Sequence, residues 1–423
     1  MNSTDSGIFS LASVGSYLDA LSSITDEISL RDRSNLIFLD KCLHGQWGLG
    51  QNVILNWCPE PGGVSVLVIP HYAVADHSIS SPMATESGRT RPSEDFFKSL
   101  LSRKRRLTPP QMDKVARLLD ISKTFIPLRD DLPESLAQQQ IVENMVKRYS
   151  ISYVENRAVA LFDIVGFSLL SPFEQMSQLN SLSYSLNSAQ SKLFSKEIDV
   201  NFARSTTGDG FYIWNRDLSL EANINLYHFM HLVLADNAIA SEKAAHSTVP
   251  RLRACFHLGS CYEFHQSEGL NPTIYNYIVG DVTVELARII DSALPGQVLV
   301  GDFEATLRSG KDETAPPLEL DSIDFILNAR ESLDRLEGLE LSGDRIDSIK
   351  CYLTGSRQPN GEYAIRRIEV NDKHGMSRRV YNAKINIYRT NASPILLGIE
   401  DQLLDSTSQL RTTSEQLTPS MRA

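Results

Sequence analysis

Between positions 158 and 164 the chain reads Ala-Val-Ala-Leu-Phe-Asp-Ile, apolar at every place but one. A short run with no polar alternation predicts a strand buried on both faces, here ending in an acid. Beyond it the period changes. Phe173–Phe194 has helical spacing, and Phe202–Trp214 predicts two strands around Gly208-Asp209-Gly210, a turn flanked by β-formers. Leu218–Leu234 reads as a helix, Arg251–Phe264 and Tyr275–Val279 as strands, and Val282–Ser292 as a helix. Gln297–Val300 closes the series as a strand after the Pro295-Gly296 turn. The order β-α-β-β-α-β, then α-β, predicts an α/β (α+β) chain with a ferredoxin-like split βαβ core.

The flanks are patterned differently. Toward the N-terminus the spacing predicts a helix near Tyr17–Ile28 and a strand pair at Val53–Trp57 and Val64–Ile69. Pro59-Glu60-Pro61-Gly62-Gly63 makes the turn between the strands. Ser78–Ser93, rich in Ser, Thr, Pro and Gly, reads as an exposed loop. Arg103-Lys104-Arg105-Arg106 could be an anion or partner contact, but a solvated helix end is the favoured reading. Residues 305–345 are charge-rich and read as helical or loose, and residues 350–390 return to strand pattern with a turn near Lys373-His374-Gly375. We divide the chain into an N-terminal region of unknown role (1–150), a catalytic domain (151–305), a helical and strand extension (306–405) and a polar, disordered tail (406–423). A length of 423 residues suits two or three domains.

Composition narrows the partners. With 42% hydrophobic and 22% charged residues the chain is of globular type. A net charge of -11 argues against a nucleic-acid binder, yet leaves room for a nucleotide site, which needs only local cations. The five cysteines are odd in number and form no CxxC pair, which predicts neither a disulfide framework nor a zinc site. The start lacks the basic and apolar parts of a signal peptide, and the most apolar early segment, Val64–Ile69, is too short to span a bilayer. No membrane contact and a cytoplasmic location are expected.

The chemistry concentrates in two places. In Phe162-Asp163-Ile164-Val165-Gly166-Phe167-Ser168 a carboxylate emerges at the end of a buried strand, where an acid is costly unless it holds a cation. Gly166 lets the backbone approach a phosphate, and the start of the next helix is expected to offer N–H groups. Thr207-Gly208-Asp209-Gly210 puts a second carboxylate at a hairpin tip. Two aspartates at adjacent strand ends could hold a pair of Mg²⁺ or Mn²⁺ ions. Either motif alone could equally be an ordinary strand-end acid or Asp-Gly turn.

Together with three further motifs they resemble the class III nucleotidyl cyclases. Arg253-Ala254-Cys255-Phe256-His257-Leu258-Gly259 is similar to that family's strand ending in His-x-Gly. Gly280-Asp281-Val282-Thr283-Val284-Glu285-Leu286-Ala287-Arg288-Ile289 resembles its arginine helix, and Pro295-Gly296-Gln297-Val298-Leu299-Val300 its closing strand. The five motifs fall in family order over residues 154 to 302, about a third of the chain. The resemblance implies that Asp163 and Asp209 bind two Mn²⁺ or Mg²⁺ ions per site. It implies that Phe167 lies on the phosphate-holding loop, and that Arg288 stabilises charge on the α-phosphate. It also implies a homodimer with shared sites, the two acids coming from one subunit and the arginine helix from the other. His257 reads instead as a packed strand histidine.

Three positions depart from the family. Ser205 stands where adenylyl cyclases carry lysine and guanylyl cyclases glutamate. Tyr277 occupies the partner base-reading position, and Val284 replaces the asparagine that orients the ribose. The purine determinants are thus lost, while both acids and the arginine are kept. This combination resembles the bacterial pyrimidine cyclases of the antiphage Pycsar system. That implies conversion of UTP, with CTP as rival, to a cyclic second messenger, with Ser205 and Tyr277 reading the base. The alternatives are an adenylyl or guanylyl cyclase with unusual base contacts, or a catalytically silent nucleotide-binding module. Arg366, Arg367, Lys373, Arg378, Arg379 and Lys384 could add cations near the triphosphate, but a solvated hairpin face is favoured.

Overall fold

A computed structural model describes residues 29–74, 94–132, 135–198, 200–244, 248–267, 274–310, 316–341, 343–359, 363–371, 375–406 and 414–417. The expected helix at Tyr17–Ile28, the loop at Ser78–Ser93, and Lys373 and His374 lie outside these. The chain forms two compact units, Met1–Val154 with Tyr262–Tyr277, and Glu155–Cys261 with Ile278–Ala423.

The first unit is built on an antiparallel sheet of β1 (Asn52–Glu60), β2 (Gly63–Pro70) and β3 (Lys123–Pro127), in that order. Both faces of this sheet are covered. Ile54, Trp57, Val64 and Val66 share a core with Leu36, Leu39 and Leu43 of α1 (Leu30–Trp47) and Ile141, Val142 and Met145 from the helix that precedes β4. Val53, Leu55, Leu67 and Ile69 meet Phe97 and Leu101 of α2 (Glu94–Ser102) and Met112 and Val115 of α3 (Pro109–Leu119). Ile54 and Trp57 lie on one face although three residues apart, because an irregularity between Ile54 and Asn56 breaks the two-residue alternation. The fourth helix, α4, spans Leu136–Arg148. The basic run differs from expectation at Arg105, which is fully buried rather than solvated. Its guanidinium donates to the carbonyls of Leu100 and Leu101, which end α2 and have no partner within the helix.

The second unit holds the patterned core. β4 (Ile151–Ile164) leads through α5 (Pro172–Ser195) to β5 (Phe202–Thr206) and β6 (Gly210–Asn215). Helix α6 (Leu220–Lys243) returns the chain to β7 (Leu252–Ser267), which pairs with β8 (Ile274–Val279); β7 from Tyr262 on and β8 up to Tyr277 count with the first unit. Helix α7 (Asp281–Ser292) and β9 (Val298–Gly301) follow. The sheet order β7-β4-β6-β5 is that of a split βαβ core, and β9 lies parallel to β7. The apolar face carries Ala158, Ala160, Phe162 and Ile164, packed with Leu182 and Leu186 of α5 and Leu226, Met230 and Val233 of α6. The fold is a mixed α/β one with a large open sheet, as the order of elements predicts.

The chain beyond β9 adds to this sheet. Residues 305–345 contain a hairpin of β10 (Glu304–Arg308) and β11 (Pro317–Asp321), then α8 (Ser322–Glu331) and β12 (Glu340–Leu341). The charges of β10 fall on its exposed alternate positions, so a charge-rich strand had passed for helix or loop. β13 (Asp344–Leu353), β14 (Ile365–Asn371) and β15 (Ser377–Arg389) complete the strand-patterned region. β15 pairs with β9, with Tyr381 opposite Val300, and β13 pairs with β15. β16 (Ile395–Leu397) and α9 (Asp401–Ser406) come next. Within the tail expected to be disordered, β17 (Ser414–Leu417) pairs with β14. No helix among the described residues is long and apolar enough to cross a membrane. All five cysteines are free, and four of them are buried.

Candidate active site

Asp163 is the penultimate residue of β4 and sits opposite Gly210 of β6. The next backbone link, Ile164 N–H to the carbonyl of Asp209 at 3.0 Å, brings the β5–β6 turn against the end of β4. Gly210 is required there. A Cβ on it would stand 1.9 Å from the carbonyl oxygen of Phe162, so any side chain would push the two acid-bearing segments apart. The two aspartates singled out in the sequence therefore share one end of the sheet. Asp163 is 7% exposed and Asp209 half-buried.

Charge at this end is concentrated. Burial pushes the Asp163 carboxyl above its ordinary range, and nearby Asp209 and Asp291 push the same way. Arg253 opposes them, its Nε donating to Asp163 Oδ2 at 2.6 Å. Burial first, and then Cys255 and the same three aspartates, push the Tyr212 hydroxyl up to about 12. Sequence reasoning quoted Arg253 only as part of a motif and missed Asp291. The usable signal for Arg253 is an arginine inside an otherwise apolar strand, since a buried guanidinium needs a partner.

The loop after Asp163 differs from expectation in one respect. Gly166 is left-handed (φ 72°), and Phe167–Leu169 form a 3-10 turn before α5. The first turn of α5 closes on its own capping box: Ser171 N–H donates to Glu174 at 2.8 Å, and Ser171 Oγ accepts from Glu174 N–H at 3.4 Å. A phosphate would meet the Gly166–Ser168 backbone rather than that helix end. Phe167 itself packs partly against the core.

Helix α7 carries Arg288 and is tied to β6 near its start and to β7 at both ends. Near its start, Tyr212 Oη donates to the carbonyl of Thr283 at 3.1 Å, and Ser260 Oγ donates to Asp281 at 2.6 Å. Past its end, Arg253 Nη1 donates to the carbonyl of Ala293 at 3.2 Å. Gly280 enters the helix at φ 143°, and a Cβ there would lie 2.7 Å from Cα of Cys261. Arg288 is half-buried and 3.9 Å from Glu285, which Arg378 of β15 also contacts at 2.6 Å.

The remaining predicted residues are placed as follows. Ser205 is half-buried on β5. Tyr277 is exposed on β8 and stacks on Phe264, with ring centroids 5.5 Å apart. Val284 is exposed on α7. His257 is buried, packed edge-on to Phe303, and burial pushes it down to about 4, as befits a packed strand histidine. The described C-terminal cations all meet acids: Arg366 with Asp401, Arg367 with Asp302 and Glu415, Arg378 with Glu285, Arg379 with Asp302, Lys384 with Glu400. In the first unit a separate cleft of about 490 Å³ is lined by Trp57, Arg106, Gln138 and neighbours, none of them predicted site residues.

No group of three or more His, Cys, Asp or Glu side chains among the described residues is gathered to hold a metal ion. Two carboxylates fit a different kind of ion, one that completes its shell with phosphate oxygens and water, as Mg²⁺ and Mn²⁺ do. The crowding of negative charge on Asp163 is what such a cation would relieve.

No protein-family model and no curated protein matches the sequence. Among solved structures, the adenylyl cyclase CyaB from P. aeruginosa aligns at 9% identity and TM-score 0.32, over 58% of this chain and 97% of that one. Adenylate cyclases from Trypanosoma brucei in their monomeric state align at 11% and 0.30, over 57% and 93%. The guanylate cyclase domain of RhGC from Catenaria anguillulae, in complex with GTP, aligns at 13% and 0.28, over 40% and 95%. At identities this low the reading of the site rests on its own residues.

Proposed function

We propose that the chain is a class III nucleotidyl cyclase that converts a pyrimidine nucleoside triphosphate, UTP with CTP as rival, to the 3′,5′-cyclic nucleotide and diphosphate. One observation carries the reading: Asp163 and Asp209, separated by 46 positions with a helix between them, meet at one sheet end. The five motifs in family order support it.

Asp163 and Asp209 would hold two Mn²⁺ or Mg²⁺ ions, which lower the pKa of the ribose 3′-hydroxyl and neutralise the triphosphate. The Gly166–Ser168 backbone, including Phe167, would receive phosphate oxygens. Arg288 would stabilise the charge that grows on the α-phosphate as the 3′-oxygen attacks and diphosphate leaves. To do so it must leave Glu285, which Arg378 would then retain. Ser205 and Tyr277 would read the base edge through their hydroxyls, which can donate or accept.

Shared sites in a homodimer suit the apolar side chains left exposed near both parts: Leu169, Phe173 and Met176 beside the acid end, Val279 and Val284 at the arginine helix. In this reading the product is a second messenger in antiphage defence. A silent nucleotide-binding module is the second reading, favoured by Val284 in place of the family asparagine. The test is incubation with each of the four NTPs plus Mn²⁺, with products resolved by mass. Cyclic UMP or cyclic CMP as main product supports the proposal. Cyclic AMP or cyclic GMP removes the pyrimidine part, and bound nucleotide without product favours the silent module.

A further inference from the structure

Arg253 touches two things at once. Its Nε lies 2.6 Å from Asp163, and its Nη1 lies 3.2 Å from the Ala293 carbonyl just past the end of α7. The carboxylate it meets is nearly buried, and two more aspartates, Asp209 and Asp291, add their negative charge. Without a cation such an acid is costly to keep ionised in place. The guanidinium supplies that cation permanently, at the spot beside which a divalent ion would bind. Two positive charges a few ångströms apart repel, so the guanidinium that steadies Asp163 also opposes a metal ion. At its other end a cation on a terminal helix carbonyl is favourable, which fixes α7 by the same side chain.

We infer that Arg253 is the resident counter-ion of the acid pocket. It holds Asp163 ready and keeps free divalent cations out until a triphosphate brings its own anionic oxygens. It is a positioning residue, acting through Asp163 and through α7, and this role rests on the cyclase reading. One consequence is opposite to that of an ordinary structural arginine: removing it strengthens metal binding.

The experiment titrates Mn²⁺ alone into the full chain and follows the free ion by its paramagnetic resonance signal. Arg253→Met and Arg253→Gln should bind Mn²⁺ at least about tenfold more tightly than the wild type. Arg253→Lys, which keeps the charge, should stay near wild type. Adding Asp163→Asn to Arg253→Gln should erase the gain, which locates it in this pocket. Should Met not fold, Gln, neutral and able to hydrogen-bond Asp163, carries the test. Equal or weaker Mn²⁺ binding in the neutral variants, or none in any protein, overturns the inference. The four-nucleotide assay separates the two ideas. Product from wild type with unchanged Mn²⁺ binding in the variants sinks the role of Arg253 alone. Tighter Mn²⁺ binding with no product from any NTP sinks the cyclase and leaves the counter-ion.

Discussion

The acid end of the sheet and the arginine helix present opposite surfaces. At the acid end Asp163 is buried, Gly210 admits no side chain, and Arg253 and Tyr212 tie the strands to α7. At α7 Val284 is 44% exposed, and Arg288 is half-buried against a carboxylate of its own helix. One half is finished by packing within the chain. The other is displayed. In the proposed dimer a second copy would bring its arginine helix over the acids, which is how it would differ from a self-sufficient enzyme.

The largest effect should come from the buried half. On the proposed reading, in which these acids would hold cations rather than fill the core, Asp163→Ala or Asp209→Ala should lower turnover by about 10²–10³-fold or more, with the thermal melt still cooperative. Full activity in either variant removes the two-metal reading. Acid should next lower the stability of the fold as a whole. Burial pushes His257 and His228 down to about 4, so below pH 6.5 the unfolded chain takes up protons that the fold refuses. Stability present at neutral pH is then lost as pH falls toward 4, by about 3 kcal/mol per histidine. Asp163, with its raised pKa, works the other way and softens the loss. Urea melts at pH 7, 5.5 and 4.5 measure it, and a flat profile would contradict the buried, neutral histidines.

The displayed half gives smaller effects. Tyr277→Ala should raise the purine share of product about tenfold, since a pocket shaped around a phenol resists extra ring atoms by about 1–3 kcal/mol. An unchanged product ratio would take Tyr277 out of base selection. Mixing Asp209→Ala with Arg288→Ala should restore about a quarter of wild-type activity, because half of randomly exchanged dimers carry one intact site. Subunit exchange with no recovery would break the comparison itself.

The strands and helices of the core were legible because period and turn residues are local signals. β4 stands out as an apolar run, and the Gly208-Asp209-Gly210 turn separates two strands as read. What could not be read is pairing between distant segments. Arg253 becomes meaningful only when β7 lies beside β4, and Asp291 only when α7 ends near both. Arg105 looked like part of a solvated run because another carbonyl it serves, that of Ile151, lies 46 residues away in the sequence. The strands of residues 350–390 were visible, but not that β15 would take the place next to β9.

That last pairing sets a clock. β9 lies between β7 and β15, so until β15 exists the sheet that carries the candidate acids ends in an open edge. β15 is synthesised roughly 75 residues after β9, or about 4–15 s later at ordinary ribosome speeds. A nascent chain would spend that interval with the edge beside its acid-bearing strands unsealed. The β9 edge would close only once the C-terminal strands had emerged and β15 had paired with it.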